Sequence, residues 1–259
     1  MSGEKRDKEP SWDEAAEGWV DFVRTGKDYF RDAINNPATF NLIGEISGFS
    51  VLDLACGEGY NTRILAGKHA RVVGIDSSKK LLASAKSEEA KEPLGVEYLL
   101  RDAGSLDDVP NDCFDLVTCF MALHDIENYD EAVEEVARVL KQNGRFIFSI
   151  PHPCFETITI NGVALNASQA YFERIMDHTE WNMKRLSKQF TTVSYHRTLS
   201  DYSQALFKRG LMIVQFVEPQ ATPSLVEESP VLKEVIKRPQ SVVFETVKHT
   251  IHAQPKRTS

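Results

Sequence analysis

The sequence predicts an α/β fold, a doubly wound and mostly parallel sheet with helices on both faces. Two observations carry this. Short apolar runs alternate with helical patterns five times between residues 50 and 151, with short links between them. The runs are also near-continuous in apolar residues, as strands covered on both faces are.

Taken in order, residues 11–36 place Trp12, Ala15, Ala16, Trp19, Phe22 and Val23 at spacings of three and four. That spacing predicts an amphipathic helix, with Ser11 as its N-cap. Pro37 suits the first position of a second helix, which would carry Phe40, Ile43 and Ile46 and end near Gly48. Ser50–Ala55 reads as a first strand and Thr62–Gly67 as a helix. Arg71–Ile75 is a second strand, Lys79–Lys91 a helix, Val96–Leu100 a third strand and Phe114–Phe120 a fourth. Asp130–Leu140 is an amphipathic helix with Gly144 as its stop signal, and Arg145–Ile150 is a fifth strand closed by Pro151. The rhythm then breaks into a mixed stretch at about 155–195. Thr198–Gly210 reads as a helix and Leu211–Val217 and Ser241–Val247 as strands, joined by a proline-rich stretch and a short helix near Val231–Lys237. Residues 1–10 are polar and expected to be disordered, and Pro255–Ser259 a loose tail.

The chain has 259 residues, enough for one α/β domain with a sizeable core. Its net charge of −8 works against general binding to a phosphate backbone. No apolar run reaches membrane-spanning length, and the charged first residues lack the apolar core of a signal peptide. Cys56, Cys113, Cys119 and Cys154 form no C-x-x-C pair, which fits reduced thiols in a cytoplasmic protein. No cluster has metal spacing; His152-Pro153-Cys154 is too short and stiff to chelate alone.

The informative segment is Asp53-Leu54-Ala55-Cys56-Gly57-Glu58-Gly59, between the first strand and the first helix. Glycines there let the backbone turn sharply and approach a ligand. A dinucleotide fingerprint would place its third glycine at position 62, which is Thr62, so the nicotinamide pattern fails. The motif opens on a carboxylate, which suits a ligand bearing an ammonium group. Asp76 closes the second strand, where a carboxylate can accept from both hydroxyls of a ribose.

Here the chain resembles the class I S-adenosylmethionine-dependent methyltransferases. Their first motif matches Asp53–Gly59, with Ala55 where many members have glycine. Their second-strand acid matches Asp76, their acidic-plus-small pair matches Asp102-Ala103, and their fourth-strand segment matches Phe114–Phe120. The stretch Ala137–Ser149 resembles their link into the fifth strand. The resemblance covers about residues 45–151, and more loosely Tyr195–Pro219.

The resemblance implies a Rossmann-like methyltransferase fold: a seven-stranded, mostly parallel sheet with an antiparallel last strand. Residues 1–44 would form a helical lid, and 45–259 the methyltransferase domain with a substrate-side insertion at about 155–195. It also implies S-adenosyl-L-methionine as cofactor, leaving as S-adenosyl-L-homocysteine. Asp53 would touch the methionine amino group, partly through water. Ala55, Gly57 and Gly59 would form the loop along the methionine and ribose. Asp76 would bind the ribose, with Ser77 beside the adenine. Asp102 would accept from the adenine amino group, and the Ala103 N–H would face the ring. Cys119 or Phe120 would lie under the cofactor. Each position also has a plain structural reading: Asp53 and Asp102 as turn residues, Asp76 and Ser77 as helix caps, Cys119 as a packing thiol.

His124 and His152 follow parallel strands at the carboxyl edge, where ligands bind in open α/β sheets, and are the candidate catalytic residues. Against this, His124 could simply orient a loop through Asp125. Trp19 and Tyr29 are candidates to cover the methyl group, or else pack the N-terminal helix. The aromatics Phe155, Tyr171, Phe172, Trp181, Phe190 and Tyr195 suggest an enclosed pocket for a small acceptor, or a small core of the insertion's own. The Asn-Pro-Pro-aromatic motif of enzymes that methylate DNA or protein amines is missing after the fourth strand. These features favour a small-molecule methyl acceptor in a monomer or homodimer. The competing readings are a non-catalytic S-adenosylmethionine-binding subunit, an RNA or tRNA methyltransferase, and an NAD-dependent oxidoreductase.

Overall fold

The computed structural model describes residues 10–26, 28–160, 163–181 and 186–249. The expected loose tail and all but the last of the ten polar N-terminal residues lie outside these.

Helix α1 runs Trp12–Arg24 and α2 Asn36–Ile43, with a wide helical turn at Arg31–Asn35 between them. The first Rossmann half follows as β1 (Ser50–Leu54), α3 (Tyr60–Gly67), β2 (Arg71–Asp76), α4 (Lys79–Lys91) and β3 (Glu97–Leu100). Then come β4 (Phe114–Phe120), α5 (Tyr129–Val139) and β5 (Leu140–Pro151). Two hairpins occupy the mixed stretch: β6 (Thr157–Ile160) with β7 (Val163–Asn166), and β8 (Ile175–Trp181) with β9 (Phe190–His196). The chain closes with α6 (Leu199–Lys208), β10 (Leu211–Val217), α7 (Pro223–Glu228) and β11 (Ser241–Lys248).

The main sheet has seven strands in the order β10-β11-β5-β4-β1-β2-β3. β1 to β5 are parallel, and β11 runs antiparallel to both β5 and β10. The chain winds outward from β1 to β3, then crosses back to β4 on the other side of β1. That reversal is a topological switch point, and it opens a crevice above the carboxyl ends of β1, β2 and β4. One core layer holds Leu52, Leu54, Phe146, Phe148 and Phe244. The other holds Val51, Leu65, Val72, Leu116 and Ile147. Each fully buried Leu or Ile among them contributes about 1.5–3 kcal/mol against exposure.

Four expectations need correction. The predicted helix over residues 11–36 ends at Arg24, where Thr25 takes over as C-cap. The second helix stops at Ile43, because Gly44 (φ +67°) turns the chain before Gly48 is reached. Gly144 is no helix stop: α5 ends at Val139 and β5 begins at once, with a ladder shift and a left-handed Asn143 absorbing the polar turn. The short helix near Val231–Lys237 is a tighter 3-10 stretch over Pro230–Ile236, preceded by α7.

α1 starts at Ser11, whose hydroxyl accepts from the Glu14 N–H, and it buries Ala15, Ala16, Phe22 and Val23. Its aromatic face meets the β8–β9 hairpin. Trp19 packs edge-on against Trp181 at 5.6 Å, and Trp181 stacks on Phe190 at 5.5 Å. Arg24 ties the other end of α1 down, donating to Glu88 at 2.8 Å and to the Glu58 carbonyl at 3.1 Å. The N-terminal helix and the β8–β9 hairpin thus pack as one unit.

Candidate functional site

Strand ends β1 and β4 both carry backbone strain. Ala55 (φ +54°) and Met121 (φ +48°) sit in the left-handed region, where an L-residue costs about 1–2 kcal/mol. Strain of this kind collects at ligand sites, where surrounding structure over-determines the backbone. Met121 is held by its N–H, which donates to both the carbonyl and the hydroxyl of Ser149 at 3.0 Å. The Cys56 N–H beside Ala55 donates to the Ile75 carbonyl at 2.8 Å.

Asp76 organises the crevice. One carboxylate oxygen accepts the Gly57 N–H at 2.8 Å, and the other accepts the Ser78 N–H at 2.7 Å. The carboxylate therefore joins the glycine loop after β1 to the start of α4. Burial raises its pKa, and these two N–H bonds oppose the rise. Ser78 caps α4, and the Asp13 carboxylate of α1 accepts from the Ser78 hydroxyl at 2.6 Å and the Lys80 N–H at 3.0 Å. The outer side of Gly57 is open: a Cβ there would meet nothing within 4 Å. Gly59 is pressed from below by Tyr98, whose hydroxyl is buried with no hydrogen-bond partner.

Asp53 lies beneath the loop instead of on its surface. It is 1% exposed, and its two oxygens accept the Thr62 hydroxyl at 2.6 Å and the Thr118 hydroxyl at 2.8 Å. In this position the carboxylate braces α3 and β4 against β1. Thr62, which replaces a dinucleotide glycine, is part of that brace. Burial pushes the Asp53 carboxyl up to about 7. Its native value lies above its unfolded value, so the folded chain binds the extra proton. This stabilisation is complete below the unfolded value and is lost as pH rises through about 7. Asp53→Asn should therefore flatten the fall in stability between about pH 5 and 8. Urea midpoints at the two pH values check this, and equal slopes in both proteins would remove the brace from the pH dependence.

The remaining candidates divide. Asp102 is exposed and its carboxylate caps its own turn through the Gly104 N–H at 2.8 Å, while Ala103 is buried behind it. Ser77 faces the crevice. Cys119 is fully buried, and burial raises its thiol pKa. The Phe120 ring meets Phe40 at 5.3 Å. Trp19 belongs to the α1–hairpin cluster, and Tyr29 is 42% exposed and does not line the cavity described below.

The two candidate histidines are engaged differently. The His152 ring bonds Glu218 at 2.8 Å through Nε2, and its Nδ1 accepts the Cys154 N–H at 3.2 Å, so both nitrogens serve the loop after β5. Burial pulls His124 down to about 3, leaving a neutral ring that is a weak base at pH 7. Its Nε2 lies 3.2 Å from Asp125 Oδ1. Asp125, held also by the Trp12 indole and raised by burial, is the group that reaches the cavity.

That cavity measures about 440 Å³ and lies between the first turn of α1, the end of β2, the loop after β4, and β9. Trp12, Asp13, Ser77, Asp125, Glu127 and Tyr195 line it, with no lysine or arginine among the described lining residues. Of the insertion's aromatics only Tyr195 reaches it; Phe172 is 86% exposed, and Trp181 and Phe190 pack α1. Sequence reasoning missed Arg197. Its buried guanidinium lies 4.2 Å over Tyr129 and donates to the carbonyls of Ile126 and Glu127 at 2.6 and 2.9 Å, fixing the loop that carries Asp125. Its only signal in the sequence was a basic residue at a strand end followed by a helix cap.

Residues 52–148 match the family model described as a methyltransferase domain. A demethylmenaquinone methyltransferase of Lactococcus lactis is 32% identical over 145 residues, 53% of this chain and 54% of that protein. A ubiquinone biosynthesis O-methyltransferase of Pseudomonas fluorescens is 32% identical over 117 residues, 44% of this chain and 50% of that protein. The chain spans about half the length of these two curated relatives. The crystal structure of an S-adenosylmethionine-dependent methyltransferase from Mesorhizobium loti superposes with a TM-score of 0.68 at 28% identity, over 82% of this chain and 96% of that one.

Proposed function

Because the chain belongs to the class I S-adenosylmethionine-dependent methyltransferases, we propose that it transfers a methyl group from S-adenosylmethionine to a small-molecule acceptor. The observation that carries this reading is the Asp76 junction: a carboxylate at the end of β2 holding the glycine loop, with open space over Gly57. Such a junction fits a ribose beside a closely approaching backbone, and it needs no phosphate. With Thr62 filling the third glycine position, a pyrophosphate fits less well.

In this reading Asp76 accepts from the ribose hydroxyls, and the backbone of Ala55–Gly59 lies along the methionine portion. Ser77, Asp102 and the Ala103 N–H surround the adenine. Asp53 acts one layer below, keeping the loop in place. S-adenosylmethionine, held by these residues, would supply an electrophilic methyl open to in-line attack by an acceptor lone pair, with the methyl–sulfur bond breaking and S-adenosylhomocysteine as the leaving group. The protein's part is to position the reactants and exclude water. Residues 1–44 serve as a lid over the 45–259 domain, because α1 grips both the end of β2 through Asp13 and the glycine loop through Arg24. A proton leaving the acceptor goes to Asp125 in preference to His124 or His152.

The carboxylates of Asp13 and Glu127 give the described lining of the cavity a negative character, so it favours neutral or cationic acceptors over carboxylates and phosphates. Nucleic acid is disfavoured on the same ground, and a cytoplasmic location belongs to the same reading. Release of S-adenosylhomocysteine, assayed with matched aromatic amines, phenols and carboxylic acids, tests it. Turnover with amines or phenols is expected. Turnover confined to the acids, or to an RNA transcript included in the panel, would overturn the acceptor class.

A further inference from the structure

We propose that β10 is a dimerisation edge, where two copies of this chain pair antiparallel and continue one sheet into the other. β10 ends the seven-strand order, so among the described residues one side of it carries backbone N–H and C=O groups with no partner strand. Such an edge is a template for another strand, and proteins that stay apart blunt it with charge, proline or shortness. The opposite edge is blunted in this way: β3 has four residues, opens on Glu97 and is followed directly by Arg101. β10 has neither the charge nor the shortness: its seven residues, Leu-Met-Ile-Val-Gln-Phe-Val, include no charge and no proline, and its irregularity is a ladder slip toward β11 at Val214.

Its side chains are also exposed. Met212 is 39%, Ile213 36%, Val214 55% and Phe216 57% exposed, and Phe207 at the end of α6 adds another apolar group at 55%.

Charge selects the occupant. The chain carries a net charge of −8, so two copies repel wherever charged surfaces meet. A charge-free contact avoids that repulsion, and β10 carries no charge. A basic or acidic partner would find no counter-charge on the strand. Antiparallel pairing of a strand with itself is isologous, so the assembly closes as a two-fold dimer and does not grow. With Val214 on the axis, Met212 opposes Phe216, an apolar pair, and Ile213 opposes Gln215. The ladder to β11 slips between Ile213 and Gln215, leaving Val214 unmatched on that side. Five part-exposed apolar side chains and a seven-residue backbone edge on each copy together bury on the order of 1,000–1,200 Å², the lower end for a specific interface.

The test is sedimentation equilibrium of the full chain at micromolar concentration, with Val214→Lys and Phe172→Lys as variants. The wild type is expected to be dimeric. Val214→Lys sets lysine against lysine at the axis and should weaken the dimer by at least about tenfold. Phe172→Lys, also at an exposed apolar position, should remain dimeric. S-adenosylhomocysteine affinity and unfolding midpoint, measured where the wild type dissociates, should match in all three proteins. A monomeric wild type, or a dimer that survives Val214→Lys, would overturn the proposal, and neither outcome touches the methyltransferase reading.

Discussion

Gly59→Ala is expected to weaken S-adenosylhomocysteine binding by at least tenfold and to lower stability by about 2–4 kcal/mol. Gly59 is the cap of α3 at φ +83°, a conformation that costs an L-residue about 1–2 kcal/mol. Space is the second problem. The new Cβ would lie 2.5 Å from the Tyr98 hydroxyl and 3.0 Å from the Ala85 Cβ. Tyr98 is 5% exposed in β3 and Ala85 is buried in α4, so neither can withdraw cheaply. The loop must lift instead, which pulls on Thr62 and its bond to Asp53. Tyr98→Phe removes the closest atom and should restore part of the loss in the double variant, leaving the backbone cost. Urea unfolding and calorimetry of both variants check this. A Gly59→Ala protein with native affinity would mean that the loop does not touch the cofactor.

Asp76→Ala should be more damaging to binding than to folding. It leaves the Gly57 and Ser78 N–H groups without their acceptor, at about 1–3 kcal/mol for each one that water cannot reach. It also removes the proposed ribose acceptor, so cofactor affinity should fall by about 10–100-fold. Asp76→Asn separates the two effects. Its side-chain oxygen can still accept one N–H, so stability should partly recover while affinity stays low. Native affinity in Asp76→Ala would remove Asp76 from the cofactor site.

Much of this was legible in the sequence. The five parallel strands were readable because strands buried on both faces are apolar throughout, and the Asp53–Gly59 and Asp76 positions because sharp turns at strand ends demand particular residues. Other features were hidden because they depend on partners far along the chain. The β8–β9 hairpin mixes polar and apolar residues, since only part of its surface meets α1, and its segments carry no clean period. Nothing in the neighbourhood of Asp53 announced Thr118, which the sheet register places directly beside it. His124 and His152 were legible as residues that end strands. The burial of His124 and the bond from His152 to Glu218 depend on segments far along the chain. Gly144 misled because a polar turn inside a strand resembles a helix stop.

The central claim is that the crevice at the ends of β1 and β2 binds S-adenosylmethionine. Calorimetric titration of the folded protein with S-adenosylhomocysteine, with NADH as the control, tests it most directly. The account predicts micromolar binding of S-adenosylhomocysteine and none of NADH. Binding of NADH alone, or of neither ligand by a folded sample, would contradict it.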